Sequence, residues 1–161
     1  MEKKLSDMSL EELWKLFPIH LTEHQPDWRE WYAEEENLLK NRVSDIERIS
    51  HIGSTAISSI CAKPIIDILA EISREHKLSD YKEAIMNSGY ICMSETSDRI
   101  SFNKGYTENG FAERVYHLHL RYIGDNDEVY FRDYLIEHTD VALEYERMKL
   151  ELWKKYEFNR D

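Results

Sequence analysis

The sequence predicts an α+β fold in which helices flank a mixed β-sheet, and three features of the chain support this prediction. Helical patterns lie towards both ends of the chain, with strand patterns between them. The run over residues 65–72 is apolar on both faces, which is typical of a central, buried strand. Near the C-terminus, apolar residues recur at every third or fourth position, as in an amphipathic helix. This order of helices and strands predicts an α+β protein with a mixed sheet.

Two helices are predicted before the first strand. The first spans residues 9–17, where Ser9 and Glu12 form a capping-box pattern. The second runs over about residues 26–41 and has a proline near its first turn. Each carries its apolar side chains on one side.

The middle of the chain alternates strands with short connections. A helix over about residues 76–88 ends at Gly89, which is a C-cap signal, and a glycine-containing loop over 104–112 joins the last two strands. A final helix begins at Thr139 and is interpreted as a packing helix with a solvated, charged face. The predicted strands cover residues 46–52, 65–72, 90–94, 98–103 and 113–122.

The length, charge and composition limit the classes of function. A chain of 161 residues is long enough for one domain with a real core, so a single domain over residues 1–161 is expected. No apolar run is long enough to span a membrane and the N-terminus lacks a secretory pattern, so a cytoplasmic location without membrane contact is expected. The net charge of −11 argues against bulk binding of nucleic acid, although a small anionic ligand held by local bases is compatible with it. The sequence does not indicate the oligomeric state.

The two cysteines, Cys61 and Cys92, are too few for a disulfide framework or a metal knuckle. Both are predicted to be buried and inert.

A Gly-Ser turn lies between the first two predicted strands, at Gly53 and Ser54. Glycine lets a backbone approach a ligand closely, and consecutive N–H groups after such a turn can hold a phosphate. Gly53, Ser54 and the following Thr55 are therefore predicted to bind the phosphates of a ligand.

A lone acid, Asp67, follows Ser54 by thirteen residues and lies inside the apolar strand. A carboxylate among isoleucines is costly to bury unless it has a partner. This position favours contact with a ligand or a metal ion. The alternative is a buried ion pair, for instance with Lys63 or Arg99.

Several basic residues are candidates for contact with an anion. Lys63 precedes the Asp67 strand and can meet a phosphate as a point charge, or it is a surface lysine at the strand entrance. Arg99 and Lys104 lie near the predicted hairpin, where they bind an anionic tail or remain solvated. Arg132 is predicted at a helix start, where an arginine gains nothing from the helix dipole, so an acid or phosphate partner is expected.

Three histidines are predicted to share one cleft. His117 and His119 project to the same face of a strand, and His51 precedes the Gly-Ser turn. Such imidazoles can chelate a transition metal or act as acid and base. Alternatively, the pair at 117 and 119 lies on the wet face of an antiparallel sheet. The other histidines are predicted at the surface or at helix ends: His20, His24, His76 and His138.

Five segments carry a recognisable pattern: His51–Ala56, Ala62–Ile68, His117–Leu120, Phe131–Leu135 and Glu144–Lys149. Together these segments resemble the GrpB (UPF0157) family. The similarity extends in the family's order over about residues 22–157, and residues 1–20 are expected to form an extra N-terminal helical extension. The resemblance implies the nucleotidyltransferase fold, with a mixed sheet flanked by helices.

Members of that superfamily bind nucleotide phosphates with a Gly-Ser turn and hold divalent metal ions, typically magnesium, with a pair of acids one residue apart and a third acid. Gly53, Ser54 and Asp67 match this pattern, but Leu69 stands where the second acid belongs. Glu71 shares the face of Asp67 but lies about 13 Å along the strand, which is too far to share the ions.

The resemblance implies a divalent metal, for which magnesium, manganese and zinc are the candidates. Because the three histidines are predicted to share one cleft, the candidate ligands are Asp67, His51, His117 and His119. A mixed set of imidazoles and one carboxylate favours manganese, zinc or iron over magnesium.

Two functions follow. The first is metal-assisted transfer of a nucleotidyl or phosphoryl group to a small acceptor, with Asp67 and His119 as catalytic residues and Lys63 neutralising charge. The second is a catalytically inactive module that keeps the cleft and binds a nucleotide or a protein. Leu69 favours the second function and the two histidines favour the first. A histidine-triad hydrolase is disfavoured because Arg121 stands where a third histidine is needed.

Overall fold

A computed structural model describes residues 4–18 and 20–156 of the chain. Within these residues, five helices and five strands follow one another, together with 3₁₀ turns at Leu5–Asp7, Ser54–Ala56 and Leu78–Tyr81. The helices are α1 (Leu10–Leu16), α2 (Asp27–Arg42), α3 (Lys82–Met86), α4 (Asp127–Glu137) and α5 (Thr139–Tyr156). The strands are β1 (Ile46–Ile52), β2 (Ile65–Ile72), β3 (Ile91–Glu95), β4 (Arg99–Thr107) and β5 (Gly110–Tyr122).

The five strands form one mixed sheet in the order β1-β2-β5-β4-β3. β2 and β5 run parallel, and the other neighbouring pairs are antiparallel. The parallel register sets Asp67 beside His117 and Leu69 beside His119. The predicted α+β class with a mixed sheet is confirmed.

One face of the sheet carries the main hydrophobic core. Alternate residues of β2, such as Ile66 and Ile68, point to this face because side chains alternate along a strand. They pack against α2 and the segment of α3, including Trp28, Leu39 and Ile85. Burial of these apolar side chains holds α2 and α3 against this face of the sheet.

The opposite face of β2 carries Asp67, and α4 and α5 cover it in part. Leu69 is fully buried there and packs with Ile52 and Val129. A separate cluster fastens α4 and α5 to the loop that follows the Gly-Ser turn, with Ile57, Ile60, Leu135 and Ala142 as its buried members. Asp67 itself is only half-buried.

The predicted capping box at the start of α1 is present, since the Glu12 N–H donates to Ser9 Oγ over 3.2 Å. The predicted helix over 76–88 is shorter, being a 3₁₀ turn followed by the five residues of α3. The predicted loop over 104–112 is mostly strand, because β4 continues to Thr107 and β5 begins at Gly110. Ring contacts among Phe17, Tyr106 and Phe111 stabilise this extension of the hairpin, and such contacts are not visible in the local sequence.

Smaller differences concern the cysteines and one histidine. Cys61 and Cys92 are half-buried free thiols rather than buried ones. His24 is half-buried with its ring 5.2 Å from that of Trp28, whereas His20, His76 and His138 are exposed as predicted. Within residues 4–18 and 20–156, no helix has the length and hydropathy needed to cross a membrane.

Candidate functional site

A cavity of about 70 Å³ lies where β2, β5, the Gly-Ser turn and α5 meet. Four elements supply its polar groups, so a ligand here would contact parts of the chain that are far apart in sequence. Its lining residues are Ser54, Thr55, Lys63, Ile65, Asp67, His117 and Lys149. This cavity is called the phosphate cleft below, after the phosphate contacts that the sequence predicts for Gly53, Ser54 and Thr55.

The Gly-Ser turn packs directly against the carboxylate of Asp67. Gly53 has φ +75°, and a β-carbon added to it would lie 2.6 Å from Asp67 Oδ2. The turn closes through hydrogen bonds from Ala56 N–H to Gly53 O and from Ile57 N–H to Ser54 O. Only glycine allows this backbone conformation and this approach together.

Asp67 lies next to both histidines of β5. Its Oδ1 is 3.4 Å from His119 Nε2 and 3.6 Å from His117 Nδ1. The other ring nitrogen of His117, Nε2, is 2.7 Å from the hydroxyl of Tyr106. The side chains of Asp67, His117 and His119 are each about one quarter to one third exposed, so all three are accessible from solvent.

Lys149 reaches the cleft from α5. Its Nζ donates a hydrogen bond to Ser54 Oγ over 2.5 Å and lies 5.1 Å from the centroid of the Tyr145 ring. Burial lowers the pKa of Lys149, the positive charge of Lys63 lowers this pKa further, and the carboxylate of Asp67 opposes both effects. The amino group is therefore held in a partly desolvated position beside a second lysine.

Sequence reasoning missed Lys149 because α5 was interpreted as a packing helix with a solvated charged face. A signal was available, since Lys149 follows the apolar Tyr145 by four residues and so lies on the packed side of the helix. Glu146 fixes the same helix turn, because its carboxylate accepts a hydrogen bond from the Cys61 N–H over 2.6 Å.

The structure places His51 apart from the other two histidines. Ile52, not His51, pairs with Asp67 across β1 and β2, so His51 pairs with Ile68 and turns to the opposite face. There its ring stacks on Tyr32 at 4.7 Å, and its Nε2 lies 2.8 Å from Thr55 Oγ1. Burial is the main cause that lowers the pKa of His51 to about 4.

Lys104, predicted to bind phosphate, also lies on the face opposite Asp67. Its ammonium group is 2.8 Å from the buried carboxylate of Glu35, which accepts a second hydrogen bond from the Tyr90 hydroxyl. Lys104 therefore neutralises a buried acid and does not line the cleft.

Arg99, also predicted to contact an anion, instead pairs with an acid of the protein, Asp125. Its guanidinium donates two hydrogen bonds to Asp125, of 3.0 and 2.9 Å. Neither Lys63 nor Arg99 forms an ion pair with Asp67 within 4.0 Å among the described residues, so the alternative of a lysine or arginine partner is not observed and two imidazoles lie beside the carboxylate instead.

Arg132 and Glu71 have partners within the protein. Arg132 lies inside α4 rather than at a helix start, and it donates to the adjacent Asp133 and to the His51 carbonyl oxygen. Glu71 is fully buried and accepts hydrogen bonds from Gly124 N–H and the Asn126 side chain. Glu71 therefore holds the segment after β5 and does not contribute to the phosphate cleft.

The donor atoms of the phosphate cleft do not fit the two magnesium ions that the nucleotidyltransferase resemblance implies. The cleft contains one carboxylate, and the position of the second acid is the fully buried Leu69. Among the residues that the structure describes, no group of three or more histidine, cysteine, aspartate or glutamate side chains is placed to hold a metal ion. A magnesium ion is usually held by one or two carboxylates together with substrate phosphates and water, so the single carboxylate of Asp67 is too few for the two ions of that fold.

A mixed five-stranded sheet, with a Gly-Ser turn set against an aspartate of a central strand, places this chain among α+β proteins of the nucleotidyltransferase fold. The chain belongs to the GrpB family, because it matches the family described as GrpB protein over residues 18–161. The family resemblance read from the sequence is therefore confirmed.

Two relatives illustrate the extent of the match. The glutamate-rich protein GrpB of Alkalihalophilus pseudofirmus is 32% identical over 144 residues, which cover 86% of this chain and 83% of that protein. The UPF0157 protein YqkA of Bacillus subtilis is 32% identical over 138 residues, which cover 83% of this chain but 39% of that protein. The chain thus spans well under half the length of YqkA.

Solved structures agree with the family and the fold. The crystal structure of conserved protein GrpB from Enterococcus faecalis has a TM-score of 0.71 and 29% identity, covering 84% of both chains. A structure of the Cid1 poly(U) polymerase bound to MgATP has a TM-score of 0.53 and 13% identity, covering 81% of this chain and 41% of that one. The likeness to Cid1 shows the fold alone.

Proposed function

We propose that this chain binds a nucleotide or another small phosphate-bearing ligand in the phosphate cleft. One observation carries the proposal: Lys63 and Lys149 line the same small cavity. In this cavity the Ser54 hydroxyl of the Gly-Ser turn accepts a hydrogen bond from Lys149 of α5. A phosphate group offers negative charge and several acceptor oxygens to such donors.

Placing two lysine side chains in this cavity costs electrostatic free energy. Two ammonium groups that share a partly buried cavity repel each other, and burial removes water that would otherwise screen them. The lowered pKa of Lys149 reflects this cost. An anion bound between the two lysines offsets it, so the cleft is better suited to a charged phosphate than to a neutral ligand.

The acidic remainder of the protein opposes an anion, since the net charge is −11. The local charges outweigh this field because they act at hydrogen-bond distance, whereas exposed charges beyond about 8–10 Å are screened by salt. Binding that depends on Lys63 and Lys149 is therefore expected to persist at physiological ionic strength.

Isothermal titration calorimetry tests this proposal, with inorganic tripolyphosphate and ATP as probes in buffer containing EDTA. We expect both probes to bind the wild type and Lys149→Met to weaken them about tenfold to a hundredfold, as expected for loss of a hydrogen bond to a charged group. Lys154→Met is the matched control because Lys154 lies exposed on the same helix. The absence of binding to the wild type, or equal binding by Lys149→Met, would refute the proposal.

A second candidate function, transfer of a nucleotidyl or phosphoryl group, is favoured by the contact of Asp67 with two imidazoles. In this reaction the oxygen of an acceptor hydroxyl forms a bond to phosphorus while the bond from phosphorus to the leaving phosphate oxygen breaks. Asp67, with His119 beside it, takes the proton of the acceptor hydroxyl. Lys63 and Lys149 neutralise the negative charge on the leaving group.

Release of pyrophosphate or phosphate from nucleoside triphosphates, with small alcohols as acceptors, distinguishes the two functions. We expect Asp67→Asn to abolish release while ATP still binds, because the amide cannot accept the proton. His119→Gln is expected to lower the rate and shift its pH dependence. A wild type that binds ATP without turnover supports the binding function alone.

A further inference from the structure

A second cavity, of about 120 Å³, adjoins the phosphate cleft beside the β4–β5 hairpin. Lys63, Ile65 and His117 line both cavities, so the two spaces are neighbours that share part of one wall. The second cavity is called the hairpin cavity below. Its apolar and aromatic lining consists of Pro18, Pro64, Ile65, Tyr106, Phe111, Ala112 and Val115.

The wall of the hairpin cavity is an aromatic cluster. The ring centroids of Phe17, Tyr106 and Phe111 lie 4.8 to 5.1 Å from one another, in tilted and edge-to-face contacts. Phe17 is buried and holds the two hairpin rings in position from behind. Rings fixed in this way offer faces and edges to a planar ligand group.

The charges at the hairpin cavity differ from those at the phosphate cleft. Its lining includes one acid, Glu113, and the lysine at its junction with the cleft, Lys63. An acid on the wall disfavours a second phosphate but accepts hydrogen bonds from an amino group or a sugar hydroxyl. The volume of about 120 Å³ is close to the roughly 150 Å³ of an apolar cavity that binds one benzene ring, so it is on the scale of one planar ring system.

We propose that the hairpin cavity binds the nucleobase of a ligand whose phosphate lies between Lys63 and Lys149. This proposal rests on the proposed function and specifies its ligand as a nucleotide rather than a simple phosphate ester. Phe17, which supports the aromatic wall from behind, lies just before residues 18–161, where the family match lies.

The test compares binding of ATP, GTP, CTP and UTP with binding of inorganic tripolyphosphate, which carries the phosphates without sugar or base. We expect at least one nucleotide to bind the wild type at least tenfold more tightly than tripolyphosphate. Phe111→Ala removes part of the aromatic wall, and Ala112→Trp fills the cavity from an exposed position. Both variants are expected to lose the preference for the nucleotide while keeping the affinity for tripolyphosphate.

Circular dichroism before titration serves as the control that each variant is folded. Equal affinity of the wild type for nucleotides and tripolyphosphate overturns the nucleobase proposal and leaves the phosphate cleft intact. A nucleotide preference that survives in both variants overturns it as well. If neither nucleotides nor tripolyphosphate bind the wild type, both this proposal and the proposed function fail.

Discussion

Gly53 and Asp67 are in direct contact, although fourteen positions separate them in the chain. A β-carbon on Gly53 would lie 2.6 Å from Asp67 Oδ2, so the turn and the carboxylate approach each other only with glycine at this position. The contact joins the Gly-Ser turn to the acid of β2. It also sets the shape of the phosphate cleft, because Ser54 follows directly and faces Lys149.

Gly53→Ala is expected to lower both stability and ligand affinity. Gly53 has φ +75° and ψ −175°, a region that is essentially restricted to glycine, and strain there costs about 1–3 kcal/mol. The new methyl group also displaces the Asp67 carboxylate. Urea unfolding and calorimetry measure the two effects. Gly124→Ala is the matched control, since Gly124 has φ +93° with no atom near its missing β-carbon, and it should affect stability without affecting binding.

Lys149→Met is expected to weaken ligand binding without lowering the stability of the fold. Lys149 has a lowered pKa in the folded protein, so below that pKa the folded state bears the cost of a buried charge that the unfolded chain does not bear. Removing the charge should leave the free energy of unfolding at pH 7 unchanged or raise it by about 1 kcal/mol. Ligand affinity should fall in the same variant.

The pH dependence of stability provides a second measurement on Lys149. As pH rises through its folded-state pKa, the folded protein loses the proton first and the cost disappears. Wild-type stability should therefore rise relative to Lys149→Met in the alkaline range. A large loss of stability in Lys149→Met at pH 7 would show that the lysine has a structural role instead.

His51→Gln is expected to change the acid side of the stability profile. The folded-state pKa of His51 is about 4, below its usual value of 6.5, so the unfolded chain binds the proton first as pH falls. Stability from neutral His51 is present above pH 6.5 and is lost as pH falls towards 4, by up to about 3 kcal/mol. Urea unfolding at several pH values should show a shallower decline for His51→Gln. Identical slopes would contradict the assignment.

Lys104→Met is expected to destabilise the protein without weakening ligand binding. Its ammonium group lies 2.8 Å from Glu35, which is only 5% exposed, so the substitution leaves a buried carboxylate with Tyr90 as its remaining donor. The cost should be about 3 kcal/mol. A double variant that adds Glu35→Gln should recover part of this loss. Weaker tripolyphosphate binding by folded Lys104→Met would instead show that Lys104 contributes to ligand binding.

The sequence by itself determined the mixed α+β class, the GrpB family resemblance and the five strands, apart from the ends of β4 and β5 that meet in the hairpin. It also identified Gly53, Ser54 and Asp67 as a group, and the structure brings these three residues together. These features are visible locally, because side-chain alternation, caps and turn residues act within a few positions of the chain.

Tertiary structure decided which charged residues join that group. The register of β1 against β2 turns His51 away from Asp67, and a shift of one residue would have reversed this. The packing of α5 brings Lys149 to Ser54 across 95 positions of the chain, and the packing of α2 takes Lys104 to Glu35. Strand register and helix docking depend on the whole core, so spacing along the sequence could not determine them.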